Sequence, residues 1–419
     1  MNANHLVGLS VVSLLLIAAA LAILLMNVPE SSPRQSTPKR AISTTNPLAG
    51  HPHRIDRLVM ADTAAAFDGG NMLRTRLETS TSDAHVVLSD DRGRYPRSGY
   101  WTSPDVVTDF PFTEVLPSWN AITPPDTGIA VHVQTRDAQT GEWSPLLYIG
   151  QWGRVWLAAD ERDLTFDHGT VHVDNLLLDR PANAYRIRVK LQSFSPDEKA
   201  TPRLRRVAVA YSGRVEDDVQ RKILTDVTHI NGNWARDLDV PFRWQTDAPK
   251  PLDGMICSPT SVTMVMAYHG IDLPTIDNAM AIYDYESLIF GNWGRAVQRA
   301  GEMGLDAWLQ RFSNWDQVKA LIARGQPLIV NIKFKSGEFP SNVMKQTSGH
   351  LIVIRGFTPD GDVICNDPAS RERGNGVVYK ADELGRAWFE NSGGVGYVIR
   401  KTRGDTRTAA AGSLPSQRQ

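Results

Sequence analysis

The sequence predicts two domains, an all-β sandwich followed by an α+β domain. Three observations predict it. Short alternating apolar runs, separated by Gly-, Pro- and Asp-rich turns, fill roughly residues 51–213. Residues 214–404 change in character: a long apolar helix comes first, then helices and strands follow in an α+β order. The chain has 419 residues, more than one typical domain.

Residues 1–29 contain the run Leu6 to Met26, uncharged and long enough to cross a bilayer. No Lys or Arg precedes it and no small-residue cleavage site follows, so it reads as an uncleaved transmembrane anchor, with a signal segment as the alternative. Arg34, Lys39 and Arg40 would hold the following body in the cytoplasm by the positive-inside rule. A single N-terminal span ahead of a large domain ordinarily exports it. The expected location is therefore the cell membrane with an extracytoplasmic body, or secretion. Residues 30–50, rich in Ser, Thr and Pro, read as a flexible linker.

In residues 51–213 the alternating runs are Ile129 to Asp137, Thr170 to Leu178, Ala184 to Ser193 and Leu204 to Ser212. Several such strands predict a sandwich of jelly-roll type. Trp101, Trp119, Trp143 and Trp152 are expected in its core; any exposed one would suit stacking on a sugar or peptide. A carbohydrate or cell-wall ligand is thus a candidate partner of this domain. Asp167, His168, His172 and Asp174 lie close together, and unbroken alternation places His172 and Asp174 on one face. That face reads as solvated, and no metal motif is present.

The domain junction falls near Gly213, and residues 214–233 read as helical or irregular. Beyond them, Cys257 to Gly270 (CSPTSVTMVMAYHG) reads as a buried helix from about Ser258 to His269. Pro259 suits a first turn, and Gly270 a C-terminal cap. Helices are expected at Asn292 to Gly301, Asn314 to Arg324 and Ala381 to Phe389. Strands are expected at Leu305 to Arg311, Leu328 to Phe334, Ser348 to Phe357, Asp362 to Asp367 and Val395 to Arg400. Residues 405–419 read as a disordered tail.

The chemistry concentrates here. Cys257 stands at a helix N-terminus, where free N–H groups favour a thiolate over a thiol. It is either a nucleophile or an inert buried cysteine. About 90 residues downstream, His350 opens a strand, and Thr358-Pro359-Asp360-Gly361 has hairpin-turn composition. A tight hairpin sets the start of its first strand opposite the end of its second, so His350 meets Asp367. A carboxylate there fixes the imidazole's tautomer and stabilises the imidazolium. Gln245, twelve residues before the cysteine, is a candidate oxyanion donor. His269 reads as structural. Cys365 points to the same face as Asp367 and reads as a packing residue.

Cys257, His350 and Asp367, with Gln245 ahead of them, resemble the papain-like cysteine peptidases. The resemblance is to the bacterial branch related to bacteriocin-leader (double-glycine) peptidases. It rests on Val240 to Gln245, Cys257 to Ser261, Gly349 to Phe357 and Asn366 to Ala369, and it covers roughly residues 240–400. Ser258, where Gly is common, and the long stretch between Gln245 and Cys257 depart from the pattern. The resemblance implies a papain-like fold for the second domain and a cysteine hydrolase acting on a peptide or protein substrate. The catalytic set would be Cys257, His350, Asp367 and Gln245, with no cofactor and no metal. An amidase of cell-wall peptide stems, or a non-catalytic binding protein with a vestigial triad, is the alternative. A net charge of −1 argues against a nucleic-acid-binding surface, and two cysteines are too few for a disulfide framework.

Overall fold

The computed structural model describes residues 48–402, apart from 81–82, 226–227, 248–251 and 253. The expected membrane segment, most of the linker and the C-terminal tail lie outside the described residues.

The first domain is mostly β. Its strands are β1 (Arg54–Ala61), β2 (Asn71–Leu73), β3 (Thr75–Thr79), β4 (Ala84–Leu88), β5 (Ser98–Thr102), β6 (Val106–Ile122), β7 (Thr127–Asp137) and β8 (Leu147–Gly153), then β9 (Thr165–Phe166), β10 (Gly169–His172), β11 (Asn175–Ser193) and β12 (Arg203–Arg214). The expected sandwich of two sheets is corrected: among the described residues these strands form one 12-stranded sheet, bent until it nearly closes. The reason lies in three long strands. β6 pairs with both β11 and β12, while β11 also pairs with β5, β7 and β10. Register shifts along β11 between Leu177 and Ala184 bend the strand. Tyr185, Ile187, Val189 and Leu191 point into the core, with the half-buried Arg186 and Arg188 between them. Trp101, Trp119 and Trp152 are buried as expected. Trp143 is partly exposed, with the Arg186 guanidinium stacked 3.8 Å from its ring.

The run Thr170 to Leu178 is not one strand. His172 pairs with Asn175 across a tight hairpin, and Val173 takes φ of 62°. The turn breaks the alternation, so His172 and Asp174 do not share a strand face. His172 is half-buried, and Asp174 is buried against the second domain.

In the second domain a short helix at Asp218–Leu224 comes first, followed by α1 (Cys257–Tyr268), α2 (Thr275–Ile282), α3 (Trp293–Glu302), α4 (Trp315–Ala323) and α5 (Ala381–Gly385). Side chains of Asn292 and Asn314 cap α3 and α4. A six-stranded antiparallel sheet runs in the order β13 (Asp306–Arg311), β18 (Val395–Arg400), β14 (Leu328–Phe334), β15 (Thr347–Phe357), β16 (Val363–Asn366), β17 (Val377–Tyr379). Helix α1 packs on β15 and is buried nearly all round, from Ser258 to Met266. Its hydroxyls stay satisfied there: Thr260 and Thr263 bond back to carbonyls four residues earlier.

The two sheets belong to one compact unit. A single apolar core includes Leu116, Ala208 and Ala210 of the first domain with α1, α3 and the second sheet. β13 is an edge strand, and side chains from β6 satisfy its outward N–H groups. Asn120 accepts from Ala307 and Ser118 from Leu309, at 3.0 and 3.1 Å. Asp174, at the β10–β11 turn, accepts from the N–H groups of Trp293 and Gly294, so the first domain caps a helix of the second. Arg311 and Glu114, each with a 1% exposed side chain, form an ion pair at 2.7 Å across the same boundary.

Candidate active site

The helix α1 opens at Cys257, one residue from the expected start. The Cys257 side chain is partly exposed, whereas the next nine residues are buried. Cys257 therefore stands at the mouth of a buried helix. Ser261 Oγ donates to the Leu351 carbonyl at 3.1 Å and ties α1 to β15 one residue past His350. Ser258, the departure from the common glycine, is buried with its hydroxyl 3.3 Å from that of Tyr397.

His350 lies on β15 opposite Ile332 of β14, nearly fully buried. The hairpin of β15 and β16 pairs Val353 with Asn366. Continuing that register sets Asp367, just past the strand end, opposite Ile352 and diagonal to His350 on the same face. Its Oδ1 lies 2.8 Å from His350 Nε2. Cys257 and the same imidazole shift each other's ionisation, which sets the cysteine beside His350.

Electrostatics follow from this order. Burial opposes ionisation of Cys257, but the His350 side chain and the N–H groups of Leu351 and Ser258 overcome it, so the thiol is held below its ordinary value. Burial would neutralise His350, yet the Asp367 carboxylate, then the Cys257 sulfur, push it up to about 10. Burial would also protonate Asp367. His350, the Tyr379 hydroxyl and the Ala369 N–H outweigh that and keep it below the usual carboxylate range. The arrangement favours a thiolate–imidazolium pair with a carboxylate behind it.

The loop after Asp367 is shaped to leave no room. Asp367 N–H donates to the Gly374 carbonyl, and a Cβ on Gly374 would fall 2.0 Å from the Asp367 carbonyl oxygen. Only glycine fits this closure. Gln245 is buried, and its N–H donates to the Pro368 carbonyl at 3.1 Å, so it lies beside Asp367 in the fold. Its side-chain oxygen is buried with no hydrogen-bond partner among the described residues. The four residues singled out in the sequence thus converge on α1, the β15–β16 hairpin and the segment before α1.

Other candidates fall outside the site. His269 Nε2 lies 2.8 Å from the Ile399 carbonyl. Cys365 is fully buried on β16, and burial pushes its thiol well up. One contact was not foreseen. Tyr379, on the short β17, donates to Asp367 Oδ2 at 2.7 Å. The only sequence signal was the Val377-Val378-Tyr379 run after a loop, which reads as a further strand but does not say what its tyrosine meets.

Residues 237–395 match the Peptidase_C39 like family, and residues 58–212 match the Peptidase C39 N-terminal domain. Among solved structures, the chain is similar to a double glycine motif protease from an AMS/PCAT transporter, determined in complex with the leader peptide. The two share 21% identity over 40% of this chain and 94% of that one, with a TM-score of 0.29. It is also similar to a C39-like peptidase from Bacillus anthracis, at 15% identity over 40% of this chain and 100% of that one, with a TM-score of 0.30. No curated protein matches the chain.

Proposed function

We propose that this chain, in which a Peptidase_C39-like domain follows a Peptidase C39 N-terminal domain, hydrolyses peptide bonds with Cys257 as nucleophile. The observation that carries the reading is the His350–Asp367 contact at 2.8 Å beside a half-buried Cys257 at a helix N-terminus, whose ionisation is coupled to His350. The Cys257 thiolate attacks the substrate carbonyl. The Gln245 amide and the Cys257 backbone N–H donate to the oxyanion. The tetrahedral adduct collapses to a thioester as imidazolium His350 gives its proton to the departing amine. His350 then accepts a proton from water, whose oxygen attacks the thioester and releases the acid and the thiolate. Asp367 holds the imidazole in one orientation throughout. The apolar run Leu6 to Met26 supports an extracytoplasmic place for this reaction.

Profiling a peptide library with protein starting at residue 48 tests the reading. Cleavage by the wild-type protein, abolished in Cys257→Ala and His350→Ala, is the expected result. Cleavage that persists in Cys257→Ala places the chemistry elsewhere.

A further inference from the structure

Tyr379 is 0% exposed and projects from β17, the edge of the second sheet. β17 pairs with β16, Tyr379 lying opposite Val363 at the far end of β16 from Asp367, and the long phenol side chain reaches back to the carboxylate. Its hydroxyl makes two contacts. It donates to Asp367 Oδ2 at 2.7 Å and accepts the N–H of Val343 at 3.4 Å. Its ring meets Phe339 at 5.0 Å between centroids. Residues 339–346 lead directly into β15 and His350. One side chain therefore joins the carboxylate to the chain segment that delivers the imidazole.

The two oxygens of Asp367 have separate partners. Oδ1 takes His350 Nε2 and the Ala369 N–H. Oδ2 takes Tyr379. Asp367 is 0% exposed, so no solvent replaces a lost donor. We propose that Tyr379 is a positioning residue of the thiol chemistry read above, acting through Asp367 by fixing its rotamer and holding its charge opposite His350. The inference rests on that reading.

The phenol suits this task because burial, then the neighbouring Asp367, keep it protonated at any working pH, so it is always a donor. The other titratable groups around Asp367 are His350 on β15, Cys365 on β16 and, beyond the imidazole, Cys257 on α1. Cys365 stays a neutral thiol. Removing the phenolic donor destabilises the carboxylate. As pH falls, Asp367 then takes up a proton earlier, the imidazolium loses its counter-ion, and the thiolate is lost at a higher pH.

The test measures alkylation of Cys257 by iodoacetamide against pH, followed by peptide mapping, together with kcat/KM on the peptide selected by profiling. Wild type should react below pH 7, and His350→Ala should lose that reactivity. Tyr379→Phe should move the acid limb of both profiles up by about one pH unit, a roughly tenfold loss on the limb, with less than about threefold change at pH 8. Site-specific 3-fluorotyrosine at position 379, a stronger donor of similar size, should move the limb down. In an Asp367→Asn background, Tyr379→Phe should change the rate by less than about twofold. Equal loss at every pH with an unmoved limb, or full effect of Tyr379→Phe without the Asp367 carboxylate, overturns the proposal alone by reducing Tyr379 to packing. A wild-type Cys257 that is inert below pH 7 overturns the underlying reading as well.

Discussion

Replacing Glu114 by Gln tests whether the two domains form one cooperative body. Arg311 Nη2 lies 2.7 Å from Glu114 Oε2, and both side chains are 1% exposed. Arg311 also donates to the Gly393 carbonyl at 2.9 Å. The substitution keeps the shape but removes the charge paired directly with the buried guanidinium. Breaking such a pair costs about 3–5 kcal/mol. For a unit of this size, about 1–2 °C of Tm is lost per kcal/mol, so the transition should fall by roughly 3–10 °C. Trp119 and Trp308, buried on either side of the boundary, allow the unfolding to be followed by fluorescence. One transition, shifted as a whole, is expected. Glu114→Leu combined with Arg311→Met should recover most of the loss, because two apolar groups need no pairing. A loss below about 1 kcal/mol, or two separate transitions of which only one moves, refutes a shared cooperative unit.

Three further outcomes follow from the same geometry. Burial raises the Asp174 carboxyl to about 6. The folded state thus binds a proton that the unfolded chain releases, so the contribution of Asp174 to stability is greatest below pH 4 and falls by roughly 3 kcal/mol as pH rises through 6; urea titrations of Asp174→Asn should lack that part of the slope. His350 is pushed up to about 10, chiefly by Asp367 against burial, so activity that needs the imidazolium should persist to about pH 10 and vanish above it. Asp367→Asn should bring that alkaline limb down, and an unchanged limb in the pH–rate profile would contradict the assignment. Gln245→Ala should lower kcat about 10²-fold with a smaller change in KM; a change confined to KM in steady-state kinetics would make Gln245 a substrate contact instead.

Much of the site was legible because its signals are local. The Cys257 helix announces itself by an N-terminal Ser-Pro, an apolar run and a terminal glycine, and it begins within one residue of expectation. His350 and Asp367 could be paired from the turn between them, since a hairpin's length sets its register. What stayed hidden depends on tertiary context. The turn at Val173 and Asp174 carries no Gly or Pro, and Val173 takes a left-handed conformation that a β-branched residue rarely adopts. Alternation therefore ran straight through it, and the cap that Asp174 lends to α3 was missed. The first domain looked like a sandwich because each strand alternates as a sandwich strand does. That β6 and β11 pair on both sides, and so join everything into one sheet, is a property of neighbours. Tyr379 was missed for the same reason: its meaning lies in Asp367, twelve residues away and just past the end of the neighbouring strand.

The central claim is that Cys257 becomes covalently acylated by its substrate. Wild-type protein mixed with an ester analogue of the peptide cleaved fastest, quenched in acid within the first turnover and digested, should show the acyl mass on the fragment containing Cys257. Cys257→Ser should carry no such thioester. Peptide hydrolysis that proceeds while Cys257 stays unmodified, with the acyl group on Cys365 or on no residue, would contradict the account.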